Sequence, residues 1–260
     1  MSYVFNIPYR KNSKLGKIMK MVKEDVRLHS FWKCSNVMAI DRMGYTDHGP
    51  THVKIVANLA LKLLRILINK DVQPSVVKYY GMKNEDAEVI VVLGSIFHDL
   101  GMIVTRHDHE KFSVMIASEF IKKYLKSVYS EEESVTILSE VLHSIVAHEQ
   151  PHKPLTVEAG IVGIADALDM EAGRARIPFK SGKVDIHAVS ALSIEKIEII
   201  EQEKTDPTTI KIKMTNSAGV FQIDELLKPR IEKSGLQKYF HVIAEITGEK
   251  ETRIIEKFEI

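Results

Sequence analysis

Histidines and aspartates of this chain concentrate in five short segments between residues 45 and 170. In one of them, IFHDLGM at residues 96–102, His98 and Asp99 stand side by side in a run that otherwise has the composition of a protein core. Burying an aspartate is costly unless a partner compensates for its lost hydration. The other four segments are YTDHGPTHVKIVA, RHDHEKFS, LHSIVAHE and IADALDM. We therefore expect several of these side chains to face a common interior.

Helical spacing indicates which of these side chains point inward. His52 shares a helix face with the apolar stripe from Val56 to Leu63, so it is predicted to face the core. Asp166 and Asp169 are three residues apart and also share a face. Any single buried histidine is more commonly structural than a metal ligand. Several inward histidines and aspartates on separate helices favour a metal centre.

The donor types narrow the metal. His98 and Asp99 diverge by about 100° on an ideal helix, and both can still reach an ion that lies between their directions. Imidazole and carboxylate groups without a thiolate suit one or two divalent transition metal ions, drawn from Mn, Fe, Co, Ni and Zn.

The elements that must position these residues are mostly helices. Periodic apolar spacing predicts helices at 15–30, 50–70, 84–101, 109–127, 131–149 and 157–173. After Pro178 the pattern changes, and TIKIKMT alternates as a half-buried strand does. IEKIEII, GVFQI, YFHVIAEI and RIIEKFEI have strand-like composition, and a helix is predicted from near Asp224 to Gly235. We predict a mainly α protein, with a helical domain at 1–178 and a small α+β domain at 179–260.

Composition excludes some classes of function. The net charge is +1, from 36 basic and 35 acidic residues, so bulk electrostatics do not favour binding to nucleic acid or to a membrane. The single cysteine, Cys34, excludes an internal disulfide, fits a reducing compartment and is expected to be a buried apolar side chain. No apolar signal core is seen near the N-terminus, so a cytoplasmic location is predicted.

His52, the His98-Asp99 pair and the later Asp166 together resemble the H…HD…D signature of the HD-domain metal-dependent phosphohydrolases, over roughly residues 45–175. The resemblance implies that these four residues bind one metal ion. Some members of that family bind a second ion through two further histidines, which His109 and His148 resemble, with Asp99 bridging both ions. His107 and His143 are the competing choices and rank lower.

The resemblance implies hydrolysis of a phosphoester by a metal-bound hydroxide, with a nucleotide or a related small molecule as substrate. Asp99 and Asp169 are the predicted catalytic residues, although Asp169 also suits a supporting contact to a metal ligand. The predicted substrate-binding residues are His48, Arg106, Arg174 and Arg176.

Two alternatives belong to other classes. One alternative is a di-iron oxygenase, which is built from a similar set of histidines and aspartates. The other alternative is a non-catalytic regulatory module that binds a metal or a nucleotide. The α+β part is expected to serve as a dimer interface, a lid or a ligand module, and a homodimer stays open.

Overall fold

The computed structural model describes residues 5–173 and 186–247, apart from the side chains at 187 and 188. Within that part the chain is mainly helical, with a small three-stranded sheet near its C-terminus. The first helices are α1 Ser13–Glu24, α2 Val26–Asn36, α3 Pro50–Asn69, α4 Ser75–Tyr80, α5 Asn84–Phe97, α6 His109–Leu125, α7 Glu131–Ala147 and α8 Val157–Ala167. A π-helical turn, Val37–Arg42, follows α2, and a 3₁₀ turn, Leu100–Ile103, follows α5.

Helix α5 lies at the centre of the helical part. Every residue from Val89 to Phe97 is buried, which matches the nearly continuous apolar run in the sequence. Helices α3, α7 and α8 all pack against it. Because α5 is enclosed on several sides, the chain that leaves its C-terminal end enters the core of the molecule.

Two local predictions for the first helices are wrong. The helix expected over 15–30 is divided at Asp25, whose carboxylate accepts a hydrogen bond from Leu28 N at 3.1 Å and so caps the start of α2. Cys34 is exposed, because it lies on the outer face of α2, where Lys33 is exposed as well.

The C-terminal part contains α9 Ile186–Leu192 and the strands β1 Ile194–Ile200, β2 Thr208–Met214 and β3 Phe240–Ile246. The strand order is β1-β2-β3, with β1 antiparallel and β3 parallel to β2. The alternation predicted for TIKIKMT is confirmed, since Ile210, Ile212 and Met214 are buried. A parallel neighbour needs a long crossover. Helical residues from Ser217 to Lys233 supply it: a 3₁₀ turn, α10 Val220–Gln222, a π turn and α11 Lys228–Lys233.

The strand predicted for GVFQI is wrong, and the helix predicted from near Asp224 begins earlier, because these residues form the first part of the crossover. The side chain of Asn216 accepts a hydrogen bond from Ala218 N at 2.9 Å and starts the helical segment there. Gly235, at φ +72°, follows its end as predicted. RIIEKFEI lies outside the described residues.

The α+β part packs directly on the helical part. Helix α11 lies against α8, where Gly160 permits the approach: an added Cβ would come within 3.0 Å of Ser234 Cβ. Lys70 of the α3–α4 connection donates to the carbonyl groups of Glu203 and Asp206, each at 2.7 Å. The predicted boundary at residue 178 lies outside the described residues and stays a prediction.

Candidate metal centre

Six predicted metal ligands converge at the ends of five helices. His52 lies in the first turn of α3, and His98 and Asp99 follow directly after α5. Later elements supply the rest of the set, at the start of α6, just after α7 and near the end of α8: His109, His148 and Asp166. The sequence spreads these positions over more than a hundred residues, and the packing around α5 brings them together.

The first cluster consists of His52, His98, Asp166 and the Oδ2 atom of Asp99. Asp99 Oδ2 lies 3.2 Å from the Nε2 atoms of both His52 and His98. Asp166 Oδ1 lies 3.3 Å from His52 Nε2 and 3.5 Å from His98 Nε2. Two imidazole nitrogens and two carboxylate oxygens therefore face one another at ligand-forming distances.

The second cluster consists of His109, His148 and the other carboxylate oxygen of Asp99. Asp99 Oδ1 lies 3.2 Å from His109 Nε2 and 3.9 Å from His148 Nε2. The two imidazole Nε2 atoms are 3.2 Å apart. Asp166 also lies close enough to His98 and His148 to share a metal with them. Asp99 thus faces one cluster with each oxygen, and its role as a bridging ligand stays a prediction.

The Nδ1 atoms of three histidines face acceptors outside the two clusters. His98 Nδ1 lies 2.7 Å from Ser95 O, and His148 Nδ1 lies 2.6 Å from Ile145 O. His52 Nδ1 lies 2.6 Å from a carboxylate oxygen of Asp169. Each acceptor favours the tautomer with its proton on Nδ1, so the lone pair of Nε2 is directed into the centre.

This donor set fits metal ions better than it fits a set of protein hydrogen bonds. His52 Nε2 and His98 Nε2 are 3.1 Å apart, although both carry lone pairs in the favoured tautomer. Within the described parts of the chain no lysine or arginine forms an ion pair with Asp99 or Asp166. Buried carboxylates that face lone pairs need a cation between them, and a divalent ion meets that need.

The pKa shifts in the centre also favour a cation between its carboxylates. Burial opposes a charge on His98, but the carboxylates of Asp99 and Asp166 outweigh it and raise its pKa to about 9. Burial also raises the pKa of Asp99, but His98 and the surrounding imidazoles reverse this and hold that pKa well below its usual range. Burial, together with the neighbouring imidazoles of His98 and His109, lowers the pKa of His148 to about 3. Positive charge is favoured between the carboxylates, and His148 stays neutral, as a metal ligand must be.

Gly101 allows α6 to begin close to the end of α5. An added Cβ at Gly101 would lie 2.7 Å from Ser113 N and would also overlap the carbonyl group of His109. The hydroxyl of Ser113 accepts a hydrogen bond from Gly101 N at 2.8 Å. A side chain at position 101 would push α6 outward and separate His109 from Asp99.

The loop before α3 fixes the position of His52. Asp47 Oδ1 accepts a hydrogen bond from Gly49 N at 2.8 Å and lies 3.4 Å from His52 N. The side chain of Asn36 packs against Gly49, where an added Cβ would lie 2.5 Å from it. The start of α3 is therefore held by polar groups from the chain before it.

The other predicted site residues lie in different places. Asp169 contacts His52 from outside the cluster. The ring of His48 packs beside that of His52, at 5.7 Å between centroids, in the loop before α3. Arg106 Nη1 lies 2.8 Å from His109 Nδ1. Arg174 and Arg176 lie outside the described residues, and their roles stay predictions.

Neither competing histidine joins a cluster. The side chain of His107 is 93% exposed. His143 Nε2 accepts a hydrogen bond from Leu155 N at 2.9 Å and belongs to none of the clusters found among the described residues.

Sequence reasoning missed Glu149 and Arg230 at the edge of the centre. Glu149 follows His148 and forms ion pairs with Arg106 and Arg230. Arg230 belongs to α11, 81 residues later in the chain, and no local motif points to it. A cleft of about 760 Å³ lies beside the second cluster, lined by Arg106, Glu149 and Glu110 among others.

The fold and the site together define a class: a helical protein with His/Asp clusters at the ends of its helices that could hold metal ions. The sequence model of the HD domain matches residues 50–171, a range that contains all six predicted ligands. The uncharacterized protein MJ1020 of Methanocaldococcus jannaschii is 40% identical over 259 residues, 98% of this chain and 99% of that protein. No solved structure matches the chain significantly. The chain belongs to the HD-domain family.

Proposed function

We propose that this protein is a metal-dependent phosphohydrolase that cleaves a phosphoester of a nucleotide or a related small molecule. The observation that carries the proposal is the position of Asp99, whose two carboxylate oxygens face separate pairs of histidines. A carboxylate shared in this way suits a pair of divalent ions, which is a common arrangement for displacement at phosphorus. Membership of the HD-domain family supports the reaction class.

Bound divalent ions would lower the pKa of water and neutralise charge on phosphoryl oxygens. The first cluster would hold one ion and the second cluster the other. The chain itself supplies orientation: Asp169 and the carbonyl groups of Ser95 and Ile145 aim three imidazoles at the centre. Rigid ligands of this kind need little reorganisation when charge shifts during the reaction.

The cleft beside the second cluster is the proposed path for the substrate. Its volume, about 760 Å³, lies in the usual range for small-molecule sites. Its lining includes the apolar and aromatic side chains of Met38, Met43 and Tyr45, the guanidinium of Arg106, and three acidic residues, Asp108, Glu110 and Glu149. The apolar and aromatic side chains suit the organic part of such a substrate, and Arg106 is the cation of this lining that could contact a phosphate group. Asp166, whose side chain is 17% exposed, is the ligand through which solvent reaches the centre most easily.

The first test is to load the protein with Mn²⁺ and measure phosphate and nucleoside release from a panel of nucleotides and cyclic dinucleotides. An Asp99→Ala variant is the matched control. Turnover of one substrate class that is lost in the variant would support the proposal. Absence of turnover in protein with verified bound metal would count against hydrolysis. Oxygen consumption by the iron-loaded protein would then favour an oxygenase, and its absence a regulatory module.

The proposed setting is the cytoplasm, with a small-molecule phosphoester as partner and no nucleic acid. The near-neutral net charge and the single cysteine support this setting. No helix among the described residues is long and apolar enough to cross a membrane. Size-exclusion chromatography with light scattering would test the homodimer.

A further inference from the structure

Glu149 is held between two guanidinium groups that come from distant parts of the chain. Arg230 Nη2, in α11, donates to Glu149 Oε1 at 3.0 Å. Arg106 Nη2, in the loop before α6, donates to Glu149 Oε2 at 3.1 Å. The α+β part of the protein therefore reaches the edge of the metal centre through one side chain.

The pair of arginines carries more hydrogen-bonding capacity than Glu149 uses. Two positive charges share one carboxylate, so the group as a whole is cationic. The side chain of Arg230 is only 14% exposed, and among the described residues its guanidinium contacts no acceptor other than Glu149. A guanidinium has five N–H donors in a planar fork that matches carboxylate and phosphate oxygens equally well. The carboxylate of Glu149, which accepts hydrogen bonds from both arginines, thus occupies a position that another oxyanion could take.

The arginine pair lies directly beside the proposed metal ligands. Glu149 follows His148 in the chain, and Arg106 Nη1 lies 2.8 Å from His109 Nδ1. The stem of Arg230 passes over α8 at Gly163, where an added Cβ would lie 3.9 Å from Arg230 Cδ and 3.6 Å from His148 Cα. Both Arg106 and Glu149 line the cleft of about 760 Å³.

We propose that Arg106 and Arg230 form an anion-binding subsite that holds a phosphate group of the substrate beside the second cluster, which rests on the proposed function for the identity of that anion. Glu149 keeps the two guanidinium groups aligned and competes with the incoming anion for their donors. The α+β part then contributes a substrate-binding residue to a site whose metal ligands all come from the helical part.

The test measures binding of inorganic phosphate to the full-length Mn²⁺-loaded protein by calorimetry, with bound metal and unfolding temperature measured for every variant. Arg230→Gln removes one fork of the subsite, and Glu149→Gln removes the competing charge. Lys233→Gln is the matched control, since Lys233 is exposed on the same helix and donates to Gln150, the neighbour of Glu149, at 2.9 Å. The Lys233→Gln variant loses one positive charge, as Arg230→Gln does, but about one helical turn away from Arg230.

Arg230→Gln is expected to weaken phosphate binding about 10-fold at unchanged metal content, the size of one lost charged hydrogen bond. Glu149→Gln is expected to tighten binding severalfold, and Lys233→Gln to leave it unchanged. If the ion pair were purely structural, Arg230→Gln and Glu149→Gln would change the phosphate affinity in the same direction. Equal phosphate affinity in Arg230→Gln and wild type, or equal losses in Arg230→Gln and Lys233→Gln, would overturn the subsite.

If Arg230→Gln does not fold, Glu149→Gln decides alone: weaker or unchanged phosphate binding would overturn the subsite. Turnover measured on the same samples separates this proposal from the proposed function. Phosphoester turnover with Arg230-independent phosphate binding would overturn the subsite and leave the hydrolase standing. Phosphate binding that depends on Arg230, without any turnover, would support the subsite and count against the hydrolase.

Discussion

Buried carboxylates of the scaffold have partners of a different kind from those of the metal centre. Away from the centre, Asp86 is 1% exposed, and its Oδ1 accepts hydrogen bonds from Lys14 Nζ and Tyr129 OH, each at 2.8 Å. Its Oδ2 accepts a third from Lys83 N at 2.9 Å. Protein donors therefore satisfy this carboxylate completely, which is what a structural buried charge requires.

At the centre, Asp99 and Asp166 face imidazole Nε2 atoms instead. Within the described ranges neither carboxylate has an ion pair with a lysine or an arginine. Asp99 is 4% exposed, close to the value for Asp86, so burial alone does not separate the two kinds of site. The difference lies in the partners: hydrogen-bond donors surround Asp86, which stabilises the fold. Imidazole nitrogens surround Asp99 and Asp166, which suits the binding of a cation.

The strongest test of this comparison is Asp99→Ala. Because Asp99 faces both clusters, the variant is expected to lose both metal ions and to lower kcat on the order of 10³-fold or more. Metal analysis by mass spectrometry and turnover of the identified substrate would measure this. Full metal content in the variant would show that Asp99 is not a bridging ligand.

His52→Ala and His109→Ala form a matched pair, since each histidine belongs to one cluster only. His52→Ala is expected to remove one ion and leave the second cluster occupied, and His109→Ala to do the opposite. Each lost affinity should exceed the ~10–100-fold typical of removing an outer hydrogen-bond partner. Titration of metal-free protein with Mn²⁺ would count the ions. One ion per wild-type chain, lost in both variants, would indicate a single mononuclear site.

Asp169→Asn tests a carboxylate that contacts a ligand but does not face the ions. The neutral amide holds His52 Nδ1 less strongly, so metal affinity in the first cluster should fall by about 10–100-fold. The second cluster should be unaffected in the same titration. A fall confined to kcat at full metal content would instead assign Asp169 a direct part in the reaction.

Asp86→Asn should affect stability and leave the metal centre alone. Losing the charged acceptor of Lys14 and Tyr129 is expected to cost about 1–3 kcal/mol of unfolding free energy. Asp99→Asn is the control: added Mn²⁺ should raise the stability of wild type and of Asp86→Asn but not of Asp99→Asn, because a ligand that binds only the folded state stabilises it. Urea unfolding of both variants would show whether the two carboxylates differ in this way.

The smallest expected effect is at Asp25, a scaffold carboxylate nearer the surface. Asp25→Ala removes a helix cap and should cost about 1 kcal/mol near neutral pH. Burial raises the pKa of Asp25, but Lys123, Leu28 N and Tyr124 outweigh it and lower that pKa below its usual value. The ionised form is therefore favoured by folding, so this stability is present above about pH 4 and lost as pH falls through the lowered pKa. Unfolding midpoints at pH 7, 4 and 3 should show the difference between variant and wild type shrinking.

The resemblance to the HD-domain family supplied the set of six residues that converge, and spacing along the chain was enough to identify most of the helices and to predict that His52 faces inward. Helical periodicity carries that information, because an inward polar residue interrupts an apolar stripe wherever it occurs. The same reasoning worked for TIKIKMT, whose alternation has a period of two. It failed for GVFQI, where strand-like composition was overridden by the cap at Asn216 and by the need for a crossover between β2 and β3.

Other features depend on contacts between residues far apart in the chain, which no local pattern encodes. The sequence places Asp166 and Asp169 on one helix face. Only the packing of α8 against α3 directs Asp166 into the centre and lets Asp169 support His52. Arg230 becomes a neighbour of His148 because α11 docks on α8. Local physics dictates which residues turn inward, and the arrangement of the helices around α5 decides which of them meet.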